Sequence, residues 1–126
     1  MKVLQMVSSA YRGTIEEQDD TILWLTQAMK NAGGTLDVLL TANAVNYAIA
    51  GQDASGLAFG EWKQTQPPRI EDDLARMIEN GIAVFAVADD LAERGLADVA
   101  MVKGVRRLPR AEIARLITGY DRVWRW

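Results

Sequence analysis

Seven unbroken apolar residues, Ile82-Ala83-Val84-Phe85-Ala86-Val87-Ala88, constrain this chain more than any other feature. A strand with one face in water alternates apolar and polar side chains, whereas a strand buried on both faces reads as a continuous apolar run. Such a strand needs helices above and below it, so the run predicts the interior of a parallel sheet. Just upstream, Ile70, Leu74, Met77 and Ile78 form an i, i+4, i+7, i+8 stripe closed by Gly81. Glu71, Asp72 and Asp73 lie in the first turn of that helix, where its dipole favours negative charge.

The same alternation of strand and helix extends in both directions. Val3 to Val7 and Leu36 to Leu40 read as two further buried strands. Between them, Thr14 and Glu17 have the spacing of a capping box, so a helix is expected from Ile15. Its apolar face would carry Ile15, Ile22, Leu25, Met29 and Ala32, and Gly33-Gly34 would end it. Asn43 to Ala50 reads as a short helix with Val45, Ala48 and Ile49 on one side. Gly51 to Arg69 shows no period, and a loop that long inside a domain is expected to be functional, interface-forming or partly mobile. After the apolar run, Asp90 to Arg94 and Val99 to Lys103 read as helical turns closed by Gly95 and Gly104. Val105 to Leu108 reads as an edge strand. Pro109 then opens a helix burying Ile113, Leu116 and Ile117, and Arg122 to Trp126 forms the last strand. The expected fold is a single α/β domain over residues 1–126, a three-layer α/β/α sandwich on a mostly parallel sheet of about five strands.

Composition removes whole classes of chemistry. The 126 residues contain no cysteine and no histidine. A thiolate nucleophile, a sulfur-ligated zinc, the commonest general base and the commonest metal ligand are therefore missing. Ser8-Ser9-Ala10-Tyr11-Arg12-Gly13 after the first strand has neither the GxGxxG spacing nor the Walker lysine, so no phosphate loop, metal or cofactor is expected. The opening apolar run is short and broken by Gln5, and no stretch approaches membrane-spanning length; the expectation is a cytoplasmic chain without a membrane partner.

Charge is unevenly placed. From Met101 onward seven basic residues meet only Glu112 and Asp121, a net +5, so the first hundred residues carry −8 of the total −3. Ends of opposite sign favour contacts between subunits or with a partner, and the acidic total argues against nucleic acid. The arginines read equally well as a solvated face.

In parallel sheets ligands bind beyond the carboxyl ends of the strands. Ser8, Ser9, Tyr11 and Arg12 follow the first strand, Thr41, Asn43 and Asn46 the second, and Asp89 and Asp90 the apolar run. Paired carboxylates there suit a cation or a proton transfer, while Asp90 with Glu93 also matches a helix cap. Ser8 and Ser9 have no histidine to activate them and read as hydrogen-bonding groups. Trp124 and Trp126 share one side of the last strand beside arginines, as interface anchors or as a flank of the core. Phe59 and Trp62 in the long loop, and Arg106 and Arg107 on the edge strand, are further interface candidates.

The segment from Gly81 through Asp89-Asp90-Leu91-Ala92-Glu93-Arg94-Gly95-Leu96 resembles the signature region of the DsrE/DsrF family of sulfur-relay proteins. There a glycine leads into a buried strand, a short turn and an Arg-Gly-hydrophobic ending. Lys103-Gly104-Val105, the last helix and strand, the opening strand, the Asn43–Ala50 region and the helix before Gly81 follow the same layout. The resemblance implies a flavodoxin-like sandwich assembling into dimers, trimers or hexamers, whose active members pass sulfane sulfur as a cysteine persulfide. The position of that cysteine falls at about Val87, and this sequence has none. Cysteine-less members of the family's hetero-oligomers serve as structural partners. The expectation is a non-catalytic subunit or docking module, in a homo-oligomer or with a cysteine-bearing homologue. The alternative is a small-ligand or acid/base site in the vacated pocket, using Asp89, Asp90, Tyr11, Arg12 or Asn43.

Overall fold

A computed structural model describes residues 1–11 and 20–126. Strand β1 (Lys2–Val7) leads to helix α1 (Thr21–Asn31) and β2 (Thr35–Leu40), then to a 3-10 helix over Ala42–Ala48. A two-stranded hairpin, β3 (Ala58–Phe59) and β4 (Trp62–Lys63), precedes α2 (Ile70–Glu79). Strand β5 (Val84–Val87), α3 (Ala88–Glu93) and β6 (Arg106–Leu108) follow. A 3-10 turn over Arg110–Glu112 runs into α4 (Ile113–Ile117), and β7 (Arg122–Arg125) closes the sheet.

The main sheet has five strands in the order β6-β5-β2-β1-β7, and every neighbouring pair is parallel. The apolar run lies inside this sheet, as its composition requires. Val84 and Ala86 point into the core on one face, while Val87 joins Leu4 and Leu39 on the other. Regular pairing covers only Val84–Val87, because Ala88 already begins α3.

The two faces are covered unequally. The first carries α1, α2, α3 and the long 3-10 helix over a core that includes Val7, Leu23, Val38, Leu40, Leu74 and Met77. Each fully buried aliphatic side chain of this kind contributes about 1.5–3 kcal/mol. The second face carries α4 and the short turn before it, with Ile113, Leu116, Ile117 and Phe85 left half-buried. Among the described residues no helix is long and apolar enough to cross a membrane.

Several local expectations are corrected. The Thr14–Glu17 capping box and the Ile15 start lie outside the described residues. The helix that is described begins at Thr21 and is capped by Asp20, whose Oδ1 accepts from the Ile22 and Leu23 N–H groups at 2.9 and 3.3 Å. Its buried face is Ile22, Leu23 and Thr26; Leu25 and Met29 are half-buried and Ala32 is exposed. Thr26 is tolerated inside because its hydroxyl donates to Ile22 O at 2.7 Å. The short helix expected over Asn43 to Ala50 is a 3-10 helix over Ala42–Ala48, with Val45, Ala48 and Ile49 buried as expected. Val99 to Lys103 is not a helical turn. Met101 bridges antiparallel to Ile49, and Ala50 N–H and Val102 N–H donate to Ala100 O and Ala48 O. The long loop contains the β3–β4 hairpin, whose two-residue strands are too short to show a period.

Candidate functional site

The carboxyl ends of β1, β2 and β5 bring the candidates together, but mostly in hydrogen bonds to one another and to residues the sequence did not single out. Ser8 donates through both its N–H (3.0 Å) and its Oγ (2.7 Å) to Trp126 O, pinning β1 to the end of β7. Ser9 is exposed. Tyr11 has a left-handed backbone (φ 54°), its N–H donates to the Tyr47 hydroxyl, and its own hydroxyl donates to Gln52 Oε1. The two tyrosine rings meet edge to face at 5.2 Å. Arg12 lies outside the described residues.

A second cluster gathers on Arg110. Its Nη2 donates to Asp90 Oδ1 at 2.6 Å and to Glu93 Oε1 at 2.8 Å, and its backbone N–H donates to Asp89 Oδ1 at 2.7 Å. The other oxygen of Asp90 accepts from Ala42 N–H at 2.7 Å, at a residue held with φ 47°. Asp90 therefore ties together the turn after β2, helix α3 and the turn before α4. It does not cap α3. The N-cap position is Val87, and both Asp89 and Asp90 lie inside the first turn. Asn43 Oδ1 accepts from Arg94 Nε and Nη2 at 3.1 and 3.0 Å, and Asn46 Nδ2 donates to Asn43 O at 2.9 Å.

The electrostatics follow from these partners. Burial pushes the Asp90 carboxyl up, but the Ala42 N–H and the Arg110 hydrogen bond and charge, aided by Arg94, outweigh it and hold it below the usual carboxylate range. Glu93 and Asp90 together hold the Arg110 guanidinium protonated beyond its ordinary range. Burial pushes the Tyr11 phenol up against a smaller opposing effect of the Gln52 hydrogen bond. At neutral pH Asp90 is an ionised acceptor and Tyr11 a protonated donor. Neither exchanges a proton readily near pH 7.

Val87 is 0% exposed and packs into the second-face core with Leu4 and Leu39, so its side chain does not open onto the strand-end surface. The interface candidates divide. Arg107 donates to Ala97 O and Val99 O, which bolts the 97–99 turn to β6. Trp124 is half-buried opposite Gln5, and Trp126 Nε1 donates to Gln5 Oε1 at 2.7 Å. Phe59 and Trp62 stand on the hairpin with ring centroids 5.9 Å apart, and the Arg106 guanidinium lies 5.7 Å from the Phe85 ring centre. Arg110 and Tyr47, the organising residues, escaped the sequence reading. Arg110 is one arginine among seven basic residues after Met101, and Tyr47 is one apolar residue in a short helical segment.

No family model matches the sequence, and no curated protein does. The structure is similar to the crystal structure of the ychN protein from E. coli, a protein of DsrE-like fold, with a TM-score of 0.75 at 18% sequence identity. The match covers 99% of this chain and 98% of that one. At that identity the likeness carries the fold: a parallel five-stranded α/β sandwich of the DsrE-like, flavodoxin-like kind.

Proposed function

We propose that this chain is a non-catalytic DsrE/DsrF-like subunit, an assembly or docking module associated with sulfur-relay metabolism that cannot itself carry a persulfide. The observation that carries this reading is Val87. At about the place where active members of the resembled family hold a thiolate, this chain has a fully buried aliphatic side chain, and its sequence has no cysteine to substitute elsewhere. The strand-end polar groups support it, because Asp89, Asp90 and Asn43 are occupied in holding loops together. Exposed aromatics on the hairpin supply what a docking module needs.

The test is native mass spectrometry of the protein isolated gently from its own host. A defined oligomer, with or without a cysteine-bearing homologue, is the expected result. A lone monomer at working concentrations would remove the reading.

One observation favours a second reading. Tyr11 lines a cavity of about 450 Å³ with Gln52, Asp53, Arg69 and Glu71, at the carboxyl side of the sheet. A small polar ligand held there would appear in the same spectrum as a constant added mass, lost on Tyr11→Ala substitution.

A further inference from the structure

Two surfaces of this molecule are individually unfinished and chemically matched. One is the arm formed by β3, β4 and their turn. Leu57, Phe59 and Trp62 on it are 55%, 60% and 37% exposed, and Glu61 at its tip forms no ion pair among the described residues. Gly60 in the same turn has φ 60°, which sets the tight reversal that presents Phe59, Glu61 and Trp62 together.

The other is a cleft of about 480 Å³ on the thinly covered second face, beside α4. Phe85, Leu108 and Leu116 make its apolar lining, and Lys2, Arg106 and Arg115 bring positive charge to it. Two of these cations have carboxylates nearby: Lys2 Nζ is 3.3 Å from Asp37 Oδ2 and Arg115 is 3.9 Å from Glu112. Arg106 forms no ion pair among the described residues and lies over the face of Phe85. An unpaired arginine on an aromatic floor suits an acidic residue flanked by aromatics.

We infer that the arm of one copy seats in the second-face cleft of another, with Phe59 and Trp62 against Phe85 and Leu116 and Glu61 on Arg106. The inference rests on the assembly reading above and names the surfaces that would perform it. Topology makes the contact intermolecular. The arm leads into α2, which runs back against the sheet to enter β5, so the arm leaves from the carboxyl end of the strands. The cleft lies on the second face, where Phe85, Leu108 and Leu116 line it, and no residue of the 51–69 segment reaches it. The elements on either side of the arm, the long 3-10 helix and α2, pack on the first face, so the sheet stands between the arm and the cleft of one copy.

Charge favours a second copy as the occupant. Residues 51–79 carry six acidic and three basic side chains, whereas the chain from Met101 onward carries a net +5. Each copy thus presents the complement of its own other end. A contact between two different surfaces closes either by reciprocal exchange about a twofold axis or by passing head to tail around a ring.

Sedimentation velocity on the purified full chain tests the pairing, using the parent, Glu61→Arg, Arg106→Glu and the double reversal. Both side chains are exposed, and thermal melts monitored by circular dichroism confirm that the variants fold. The parent should self-associate, each single reversal should weaken association about tenfold or more, and the double reversal should recover most of the loss. A parent oligomer indifferent to both reversals would overturn the arm-and-cleft contact and leave the assembly reading standing. Single losses without recovery in the double variant would overturn the Glu61–Arg106 pairing. A parent that stays monomeric would overturn both.

Discussion

The Tyr47 hydroxyl donates to Asp20 Oδ2 at 2.7 Å, while Asp20 Oδ1 caps the first turn of α1 through Ile22 and Leu23. Both residues are buried, so this one carboxylate joins the 3-10 helix after β2 to the start of a helix 27 residues earlier. Tyr47→Phe keeps the packing and leaves a buried carboxylate oxygen without that donor. The expected cost is about 1–3 kcal/mol, read as a lower urea midpoint at unchanged slope. Asp20→Ala should cost more, because the cap is lost as well. Equal stability of Tyr47→Phe and the parent would show that water replaces the phenol and that the link is incidental.

Asp90 should make the protein sensitive to acid. Its folded carboxyl lies below the ordinary value, so its contribution is present above an unfolded pKa of about 4 and is lost as pH falls through the lower folded value. Asp90→Asn should lower stability at neutral pH and flatten the decline below about pH 4. Arg110→Ala should flatten the same region, since the guanidinium is one of the groups that holds Asp90 ionised. Parallel acid limbs for parent and Asp90→Asn in chemical unfolding across pH would contradict this account.

At the other end of the sheet, Tyr120 donates to Asp37 Oδ2 at 2.7 Å and lies beneath Lys2 Nζ, 4.5 Å from the ring centre. Burial raises its pKa well above the ordinary tyrosine range, the Asp37 hydrogen bond and charge add to the rise, and Arg106 opposes it. A raised value means that the contribution of Tyr120 is intact below its unfolded pKa of about 10 and is lost as pH rises from there through the folded value. Ultraviolet titration should show a late-ionising phenol that Tyr120→Phe removes. Loss of an ordinary phenol instead would disprove the buried pairing with Asp37.

Gly104 has φ 95°, and a Cβ built there would stand 2.9 Å from Ile78 Cγ2. Gly81 has φ 81° with no atom within 4 Å of such a Cβ. Alanine at Gly81 therefore meets backbone strain alone, about 1 kcal/mol, whereas alanine at Gly104 meets strain plus displacement of α2, about 2–4 kcal/mol in all. Thermal unfolding of the two variants separates the effects. Equal costs for the two variants would show that α2 yields freely at Ile78.

The sheet was legible because burial on both faces leaves its mark in consecutive residues. Ile82 to Ala88 announced an interior strand, and Leu36 to Leu40 and Val3 to Val7 two more strands of the same sheet, without reference to anything distant. The α2 stripe was legible for the same reason: Leu74 and Met77 are buried, with Ile70 and Ile78 at the edges. For α1 the expected face overlaps the observed one at Ile22 but is rotated from it. Leu23 is fully buried and Leu25 only half, because α1 is oriented by the Asp20 cap, the Tyr47 link and contact with α2. Extended chain at 100–102 read as a helical turn because its partners, residues 48–50, lie half the chain away.

The sequence by itself determined a parallel α/β architecture and the absence of thiol and imidazole chemistry, since periodicity and residue type are local properties. Only the tertiary structure decided that Arg110 occupies Asp89 and Asp90, that Tyr120 meets Asp37, and that Trp126 meets Gln5 across 121 positions. Those pairings depend on strand order and on where loops close. A polar side chain in sequence carries no record of which distant partner will satisfy it once both leave water. The same reason separates the arm from the cleft: Phe59, Trp62 and Arg106 stand out in the sequence, but their placement on opposite sides of one sheet is a property of the fold.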